Sequence, residues 1–167
     1  MEIYSIWLMP DDKTIYRKFE NIVSKLSEDF GGPIFDPHIT LMADVEMDKS
    51  KFLEKVELLS KQIKPFKLET MDTSFSTTYF QSVFVFVKAT ADLMNARLCA
   101  DEVFGRENSM FMPHISLLYG DFDMQTREKA MKSIEMPRLS YAVDSLVVTP
   151  AAGDPKNWYH IAKYNLS

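Results

Sequence analysis

Two short segments of the sequence combine a histidine with a hydroxyl side chain at the same spacing. They are residues 37–41 (PHITL) and residues 113–117 (PHISL), which differ only by the exchange of Thr for Ser. From average amino-acid usage, a given five-residue window matches such a pattern by chance on the order of one time in a million. Either the chain contains an internal duplication, or two separate sites were driven to the same solution.

The i, i+2 spacing within each segment indicates a shared chemistry. In a β-strand, residues i and i+2 point to the same face, so His38 lies beside Thr40, and His114 beside Ser116. Two such strands facing one another would surround a small volume with two imidazoles and two hydroxyls. One imidazole can accept a proton near neutral pH while the other donates one, and hydroxyls suit phosphate oxygens. The pattern therefore predicts acid–base cleavage of a phosphoester.

Each of these residues also has a purely structural interpretation. A single histidine on a strand is more often a satisfied core residue than a catalyst, and threonine favours strands in any case. The repetition of both side chains favours the functional interpretation. His160 has neither a hydroxyl at i+2 nor a twin, so we expect it to be structural. A zinc site of His38, His114 and His160 is an alternative, but it leaves the paired hydroxyls unexplained.

Charged residues near the two segments do not indicate a different mechanism. Asp36 and Asp44 flank the first segment, but Met112 and Gly120 stand at the matching positions of the second. A carboxylate-based mechanism is therefore not expected. Some basic residues could supply local positive charge, although nothing in the sequence places them near the motifs: Lys88, Arg97 and Arg106.

The composition is that of an ordinary globular protein of 167 residues, with 46% hydrophobic and 26% charged residues. This length fits one domain or two small pseudo-symmetric lobes. The formal net charge of −5 argues against stable binding to duplex nucleic acid and disfavours long polyanions as ligands. A small anionic substrate in a local pocket agrees with this charge. We expect a monomer by default.

Cysteine usage and hydropathy indicate the compartment. The single cysteine, Cys99, excludes an internal disulfide and indicates a reducing compartment, most simply the cytosol. The N-terminal residues MEIY lack a basic region, and no run approaches the ~20 apolar residues of a membrane span. We therefore expect a cytoplasmic protein with no signal peptide and no membrane contact.

The hydrophobic pattern predicts the element order βαβαβ, then βαβαβ and one extra strand. Predicted strands cover residues 2–9, the first motif to about 45, 66–75, 80–89, the second motif, 139–148 and 158–164. Predicted helices run from Asp11 or Asp12 to Phe30, about 48–63, 90 or 92–104, and 123–134. The two histidines are 76 positions apart (114 − 38 = 76), and this offset relates most elements. We expect a single domain, 1–167, with pseudo-symmetric halves of about 1–77 and 78–167.

Two His-x-(Ser/Thr) motifs, one in each half of a duplicated chain, resemble the two-histidine (2H) phosphoesterase superfamily. Residues 5–7 (SIW) and 114–120 (HISLLYG) resemble its cyclic phosphodiesterase family, known from plants and yeast. The resemblance implies a bilobal α+β fold in which antiparallel sheets line a central cleft and helices lie outside. It also implies hydrolysis, without metal or cofactor, of ADP-ribose 1″,2″-cyclic phosphate and of nucleoside 2′,3′-cyclic phosphates to 2′-phosphates. RNA processing, tRNA splicing in particular, is the implied setting.

The resemblance assigns a role to each matching position. It implies an acid–base pair (His38 and His114), phosphate-binding hydroxyls (Thr40 and Ser116) and two aromatic residues at the substrate site (Tyr119 and Trp7). By analogy, His114 activates water and His38 is the acid, although the residues alone leave this assignment open. A bell-shaped pH–rate profile is expected from such a pair. Plant relatives carry further cysteines that form disulfides, a feature that does not transfer to this chain.

The two aromatic residues are open to a second interpretation. Strict alternation places Tyr119 on the face opposite His114, so it reaches the cleft only if the strand kinks near Gly120. Trp7 either stacks on a base or belongs to the core. We expect Phe80 and Phe84 to pack.

The sequence leaves two other functions open. One is an enzyme acting on 2′,3′-cyclic phosphate ends of RNA or on 2′-5′ linkages, which requires a basic approach surface that the composition disfavours. Another is a non-catalytic nucleotide- or RNA-binding module, against which the complete twin motifs argue.

Overall fold

The structure, a computed structural model, describes residues 1–107, 110–150 and 152–167. These residues form β1 (Glu2–Leu8), α1 (Lys13–Phe30), β2 (Ile39–Met47), α2 (Lys49–Ser60), β3 (Phe66–Ser74), β4 (Val83–Val87), α3 (Ala91–Phe104), β5 (His114–Leu118), α4 (Met124–Lys132), β6 (Ser140–Val143), β7 (Ser145–Pro150) and β8 (Ala162–Asn165). Two short 3₁₀ helices lie at Tyr79–Gln81 and Pro155–Asn157.

Each α-helix begins at a side chain that accepts hydrogen bonds from the first free backbone N–H groups. The caps are Asp12, Asp48, Thr90 and Asp123. Such caps stabilise a helix by about 1 kcal/mol each, so they fix where the helices start. The helix starts expected from the sequence therefore agree with the structure.

The strands form two antiparallel four-stranded sheets, in the orders β2-β1-β7-β8 and β5-β4-β3-β6. The α+β class with antiparallel sheets and outer helices is thus confirmed. Each sheet takes strands from both parts of the chain, because β7 pairs with β1 while β3 pairs with β4. The two sheets have equivalent strand orders, in which β2, β1, β7 and β8 of one sheet correspond to β5, β4, β3 and β6 of the other. The boundary of the two halves near residues 77 and 78 stays a prediction.

Some predicted strands have different bounds in the structure. The segment 139–148, expected as one strand, is divided at Asp144 into β6 and β7, which belong to different sheets. The segment has no Gly or Pro to mark this change of sheet, so its apolar pattern reads as continuous. Phe80 lies in a 3₁₀ helix rather than in β4, and residues 158–161 precede β8 rather than forming its start.

A continuous hydrophobic core joins the two sheets. Helix α1 packs against β5, and helix α3, at the equivalent place in the second half, packs against β2. Each helix thereby supports the motif strand of the opposite half. Core residues of both motifs, Ile39 and Ile115, are fully buried, as the alternation predicts. Within the described residues, no helix has the length and apolar character needed to cross a bilayer.

Candidate active site

Both motifs border one cleft, which we call the central cleft. It has a volume of about 410 Å³, within the range of small-molecule sites. Its described lining comprises Ser5, Trp7, His38, Thr40, Ala43, Asp44, Thr78, Phe80, Gln81, His114, Ser116, Tyr119 and Trp158. The structure therefore brings together all six residues that the sequence singled out. They come from β1, β2, β5 and the residues adjoining these strands, so both sheets contribute.

The two histidines are oriented in the same way by the backbone. His38 Nδ1 lies 2.7 Å from the carbonyl oxygen of Asp36, and His114 Nδ1 lies 2.8 Å from that of Met112. A carbonyl accepts hydrogen bonds only, so Nδ1 carries the proton in each ring. In the neutral imidazole, Nε2 then keeps its lone pair. Each ring therefore has one nitrogen fixed by the chain and the other available for proton exchange.

His38 is the more deeply buried histidine, with 6% of its surface exposed. Its ring stacks on the Trp7 indole, with centroids 3.6 Å apart and planes 9° from parallel. Burial lowers the pKa of His38 to about 4, and the positive charge of a protonated His114 contributes in the same direction. His38 is consequently neutral near pH 7 in the ligand-free cleft.

His114 has a more open and more polar environment. It is half-buried, its ring meets the edge of Phe84 at 5.4 Å, and its Nε2 lies 3.3 Å from the amide Nε2 of Gln81. The amide N–H can donate to the imidazole lone pair, which favours neutral His114. Burial also lowers the pKa of His114 from its ordinary value.

The two motif hydroxyls have different partners. Ser116 Oγ donates to the backbone carbonyl of Phe80 at 2.6 Å. Thr40 has no side-chain hydrogen bond within the described part of the chain. A phosphate oxygen would thus find the Thr40 hydroxyl free to donate, whereas the Ser116 hydroxyl has to turn away from Phe80.

A β-bulge explains how Tyr119 reaches the cleft. Phe84 pairs with Ser116 but Val83 pairs with Leu118, so Leu117 is an extra residue in β5. One extra residue reverses the alternation, which moves Tyr119 to the face that carries Ser116. Gly120 follows with φ +153°, and a Cβ there would lie 2.3 Å from the Phe122 ring. The kink that Tyr119 needs in order to reach the cleft is therefore present.

The first motif contains the same bulge. Trp7 pairs with Thr40 but Ile6 pairs with Met42, so Leu41 is the extra residue of β2. The bulge carries Ala43 into the cleft lining, at the position that matches Tyr119. The two strands thus share their irregularity as well as their motif.

Trp7 and Tyr119 border the cleft but are 2% and 3% exposed. One face of Trp7 is covered by His38, and Tyr119 stacks on Phe35 with centroids 3.6 Å apart and planes 12° from parallel. Burial raises the pKa of the Tyr119 hydroxyl, which keeps it protonated. Their roles as substrate ligands stay predictions, but both rings visibly support neighbouring side chains.

Phe80, Gln81 and Trp158 are among the cleft residues to which the sequence analysis gave no role at the site. Phe80, expected to pack, is 48% exposed and forms an aromatic border with Trp158, whose ring centroid is 6.1 Å away. The indole Nε1 of Trp158 is buried and has no partner among the described residues. Phe80 and Gln81 lie within the first 3₁₀ helix and Trp158 directly follows the second, so no periodic pattern identified them.

A buried arginine holds the wall of the cleft that contains Thr78. Arg127, on α4, is 2% exposed. Its guanidinium donates to the carbonyls of Ser76 and Thr78 at 2.6 and 2.7 Å, and to those of Phe122 and Gly120 at 2.8 and 3.2 Å. These bonds tie the segment before the first 3₁₀ helix to the turn after β5. Its place on the buried face of α4 was the available sequence signal.

His160 is not part of the cleft lining. Its Nε2 lies 3.0 Å from Asp36 Oδ2, within hydrogen-bond distance, and Tyr16 donates to Asp36 Oδ1 at 2.5 Å. These contacts hold the pKa of Asp36 below its usual range. No group of three His, Cys, Asp or Glu side chains suited to a metal ion occurs within the described residues. The zinc alternative therefore lacks a third ligand there.

The basic residues considered at the sequence level lie elsewhere. Arg106 donates to the carbonyls of Ala43 and Asp44, Arg97 pairs with Asp101, and Lys88 pairs with Glu69. They do not belong to the described lining of the cleft.

The fold is similar to that of E. coli LigT complexed with 3′-AMP, with a TM-score of 0.66 and 15% identity over 99% of this chain and 98% of LigT. It is also similar to TT0787 of Thermus thermophilus, with a TM-score of 0.68 and 17% identity over 98% and 97% of the two chains. At these identities the likeness concerns the fold. This fold, the twin motifs and the family match given next together show that the chain is a member of the 2H phosphoesterase superfamily.

The cyclic phosphodiesterase of Arabidopsis thaliana is 25% identical to this chain, over 99% of the chain and 96% of the plant protein. The model of the family described as cyclic phosphodiesterase-like protein matches residues 1–163. The chain belongs to this family and is a phosphodiesterase. The resemblance noted from the sequence is thereby confirmed.

Proposed function

We propose that this protein hydrolyses ribose cyclic phosphates by acid–base catalysis between His38 and His114. The proposed substrates are nucleoside 2′,3′-cyclic phosphates, opened to 2′-phosphates, and ADP-ribose 1″,2″-cyclic phosphate. The observation that carries the proposal is the twin arrangement of the histidines. Each Nδ1 donates to a backbone carbonyl two residues earlier, which leaves both Nε2 atoms for proton transfer at one cleft.

The proposed reaction needs two proton transfers and one displacement at phosphorus. Thr40 and Ser116 donate hydrogen bonds to the non-bridging phosphate oxygens. One histidine takes a proton from water, and the water oxygen forms a bond to phosphorus as the bond to one ribose oxygen breaks. The other histidine gives its proton to that ribose oxygen. The product is a phosphomonoester and a free ribose hydroxyl, and the proton balance between the histidines is restored through solvent.

The order in which the two histidines take up protons bears on which of them is the acid and which the base. The family analogy makes His114 the base and His38 the acid. Burial, however, lowers the pKa of His38 to about 4, so the less buried His114 takes up the first proton in the ligand-free cleft. His38 can act as the acid only if binding of the phosphate anion raises its pKa enough for it to take up a proton from solvent. Proton uptake on binding a non-hydrolysable nucleotide, compared between His38→Asn and His114→Asn, separates the two assignments.

The proposal is tested by assaying purified protein against three substrates. They are adenosine 2′,3′-cyclic phosphate, ADP-ribose 1″,2″-cyclic phosphate and an oligonucleotide with a 2′,3′-cyclic phosphate end. We expect hydrolysis of the first two, with a 2′-phosphate as the product from the nucleoside substrate. Turnover of the oligonucleotide alone supports the RNA-end alternative. Binding without turnover of any of them supports the non-catalytic alternative.

The wider setting follows from the same proposal. A role in RNA processing, including tRNA splicing, and a cytoplasmic location are what the family resemblance and the composition imply. Fractionation of cells that express the tagged chain tests the location, and accumulation of cyclic phosphates after its deletion tests the role.

A further inference from the structure

Arg127 is a buried cation that the proposed reaction does not use. It lies on α4 with 2% of its surface exposed, and it forms no ion pair with a carboxylate among the described residues. Its guanidinium instead donates to backbone carbonyls through four of its five N–H groups. Burying a charge costs free energy even when it is hydrogen-bonded, and an apolar side chain would fill the same place without that cost. The bonds of Arg127 therefore indicate a role in positioning the backbone rather than in packing.

Two of the carbonyls that Arg127 holds belong to the residues that surround Gln81. One nitrogen, Nη1, donates to the carbonyls of both Ser76 and Thr78, at 2.6 and 2.7 Å. The Ser76 N–H donates to the Gln81 carbonyl at 2.9 Å, and the Gln81 N–H donates to the Thr78 carbonyl at 3.3 Å. The Thr78 hydroxyl also donates to Gln81 Oε1 at 3.4 Å, which leaves the amide N–H groups for His114. Arg127 therefore fixes both residues that determine where the Gln81 side chain lies.

The rest of the guanidinium is bonded to the turn that follows β5. Nε donates to the Phe122 carbonyl at 2.8 Å, and Nη2 donates to the Gly120 carbonyl at 3.2 Å. Because β5 begins at His114, Arg127 joins the segment of Gln81 to the strand of His114. The 3.3 Å contact between the Gln81 amide and His114 Nε2 depends on the relative position of these two segments.

We infer that Arg127 is a positioning residue for the reaction, which acts by holding the Gln81 amide against Nε2 of His114. The amide N–H donates to the lone pair of the neutral imidazole, and neutral His114 is the form that can accept a proton. A guanidinium suits this task because its planar fork holds several carbonyls in one fixed geometry, which an ammonium group or an apolar side chain does not. The inference rests on the proposed function, because it concerns how one of the two histidines is kept ready.

The test measures His114 directly and then the reaction. Proton NMR titration of the imidazole gives the pKa of His114 in wild type, Arg127→Met, Arg127→Lys and Gln81→Ala, and in each Arg127 variant combined with Gln81→Ala. Steady-state kinetics with adenosine 2′,3′-cyclic phosphate give kcat and KM for the same proteins. Val56→Ala is the matched control, because Val56 is fully buried on α2 and lies outside the described cleft lining. It weakens the fold without altering the contact with His114, and thermal unfolding verifies that each variant is folded at the assay temperature.

We expect Gln81→Ala and Arg127→Met each to raise the pKa of His114, because both remove the amide donor that favours the neutral ring. Each should lower kcat by roughly three- to tenfold, the value of one hydrogen bond, with a smaller change in KM. Adding Gln81→Ala to Arg127→Met should change neither quantity further, because both substitutions remove the same contact. Arg127→Lys keeps the charge but not the fork, so it should show a smaller loss in the same direction. Val56→Ala should keep the wild-type pKa of His114 and the wild-type kcat.

Two results would overturn the inference alone: additive effects of Gln81→Ala and Arg127→Met, or a folded Arg127→Met variant with the wild-type pKa of His114 and wild-type kcat. Failure of both Arg127 variants to fold would also overturn it, because Arg127 would then be assigned to the stability of the fold. Absence of turnover in wild type would overturn the proposed function, whereas the NMR titrations would still decide whether Arg127 holds the Gln81 amide in place.

Discussion

The His38 and His114 sides of the cleft share a backbone and differ in what surrounds it. Both have a bulge at the motif leucine, Leu41 or Leu117, and both direct the histidine Nδ1 to the carbonyl two residues earlier. His38, however, is stacked on an indole and buried, whereas His114 is half-exposed beside an amide. The repeated backbone places two equivalent groups, and the unrepeated neighbours give them different proton affinities.

This difference is what an acid–base pair requires. Two identical histidines would titrate together, and at any pH the doubly neutral and doubly charged forms would compete with the singly protonated form. Unequal burial separates the two proton affinities. The residues whose carbonyls accept from the two histidines also differ. The Asp36 side chain is held by Tyr16 and His160, whereas the Met112 side chain is exposed.

The largest expected effect comes from removing either of the two Nε2 atoms that we propose to transfer protons. His38→Asn and His114→Asn should each lower kcat/KM for a nucleoside 2′,3′-cyclic phosphate by roughly 10²–10⁴-fold. Asparagine keeps an N–H near the Nδ1 position, so the bond to the preceding carbonyl survives while Nε2 is lost. Steady-state kinetics measure the effect. His160→Asn is the control and should retain most activity; an unimpaired His38→Asn or His114→Asn would remove that residue from the mechanism.

The hydroxyl pair should show smaller and unequal effects. Thr40→Ala and Ser116→Ala should each lower kcat by roughly 10–100-fold, the cost of one hydrogen bond to a charged oxygen. Ser116→Ala also leaves the Phe80 carbonyl without its 2.6 Å donor, so it alone should reduce the free energy of unfolding, by about 1 kcal/mol. Kinetics and urea denaturation separate the two effects, with Thr40→Ser as the conservative control. Wild-type turnover in both alanine variants would contradict the assignment.

The unequal burial of the histidines should appear in the pH dependence of stability. The pKa of His38 falls from 6.5 to about 4 on folding, so the unfolded chain binds more protons between these values. The contribution of neutral His38 to the free energy of unfolding is therefore present in full above pH 6.5. It is lost as the pH falls towards 4, by about 3 kcal/mol in all. Urea denaturation across this pH range should show that the free energy of unfolding falls less with decreasing pH in His38→Asn than in wild type. An equal loss in both would show that His38 is not buried as a neutral ring.

Much of the fold was predictable because the signals are local. Asp12, Asp48 and Asp123 cap helices by their own side chains, and the twin pentapeptides identify both motif strands. The placement of β3 in the sheet of β4 and β5, and of β7 in the sheet of β1 and β2, was not predictable. The partner of a strand depends on residues that are distant in the sequence. Nor did any local break mark Asp144, where the chain changes sheet.

In the candidate site, too, residues with a local sequence signal were predictable, and residues that act through contacts with distant parts of the chain were not. The motif residues His38 and His114 could be found because they are repeated. The contact of the Gln81 amide with Nε2 could not be found, because it exists only after folding. The place of Arg127 on the buried face of α4 marked it as unusual, but its backbone carbonyl partners could not be found from the sequence. No residue type in the segment marks the bulge at Leu117. Strict alternation of side chains therefore placed Tyr119 on the face opposite the one that it has in the structure.

The smallest expected effect tests whether the Gln81 amide tunes His114 alone. Gln81→Glu places a carboxylate near Nε2, which favours the charged imidazole and should raise the pKa of His114. The limb of the pH–rate profile that belongs to His114 should then move to higher pH. The limb that belongs to His38 should move much less, because burial is the largest cause of its lowered pKa. Gln81→Ala removes the amide donor without adding charge and should move the same limb less. A parallel movement of both limbs would mean that the histidines titrate as one unit, and the asymmetry between the two sides would then have no part in the reaction.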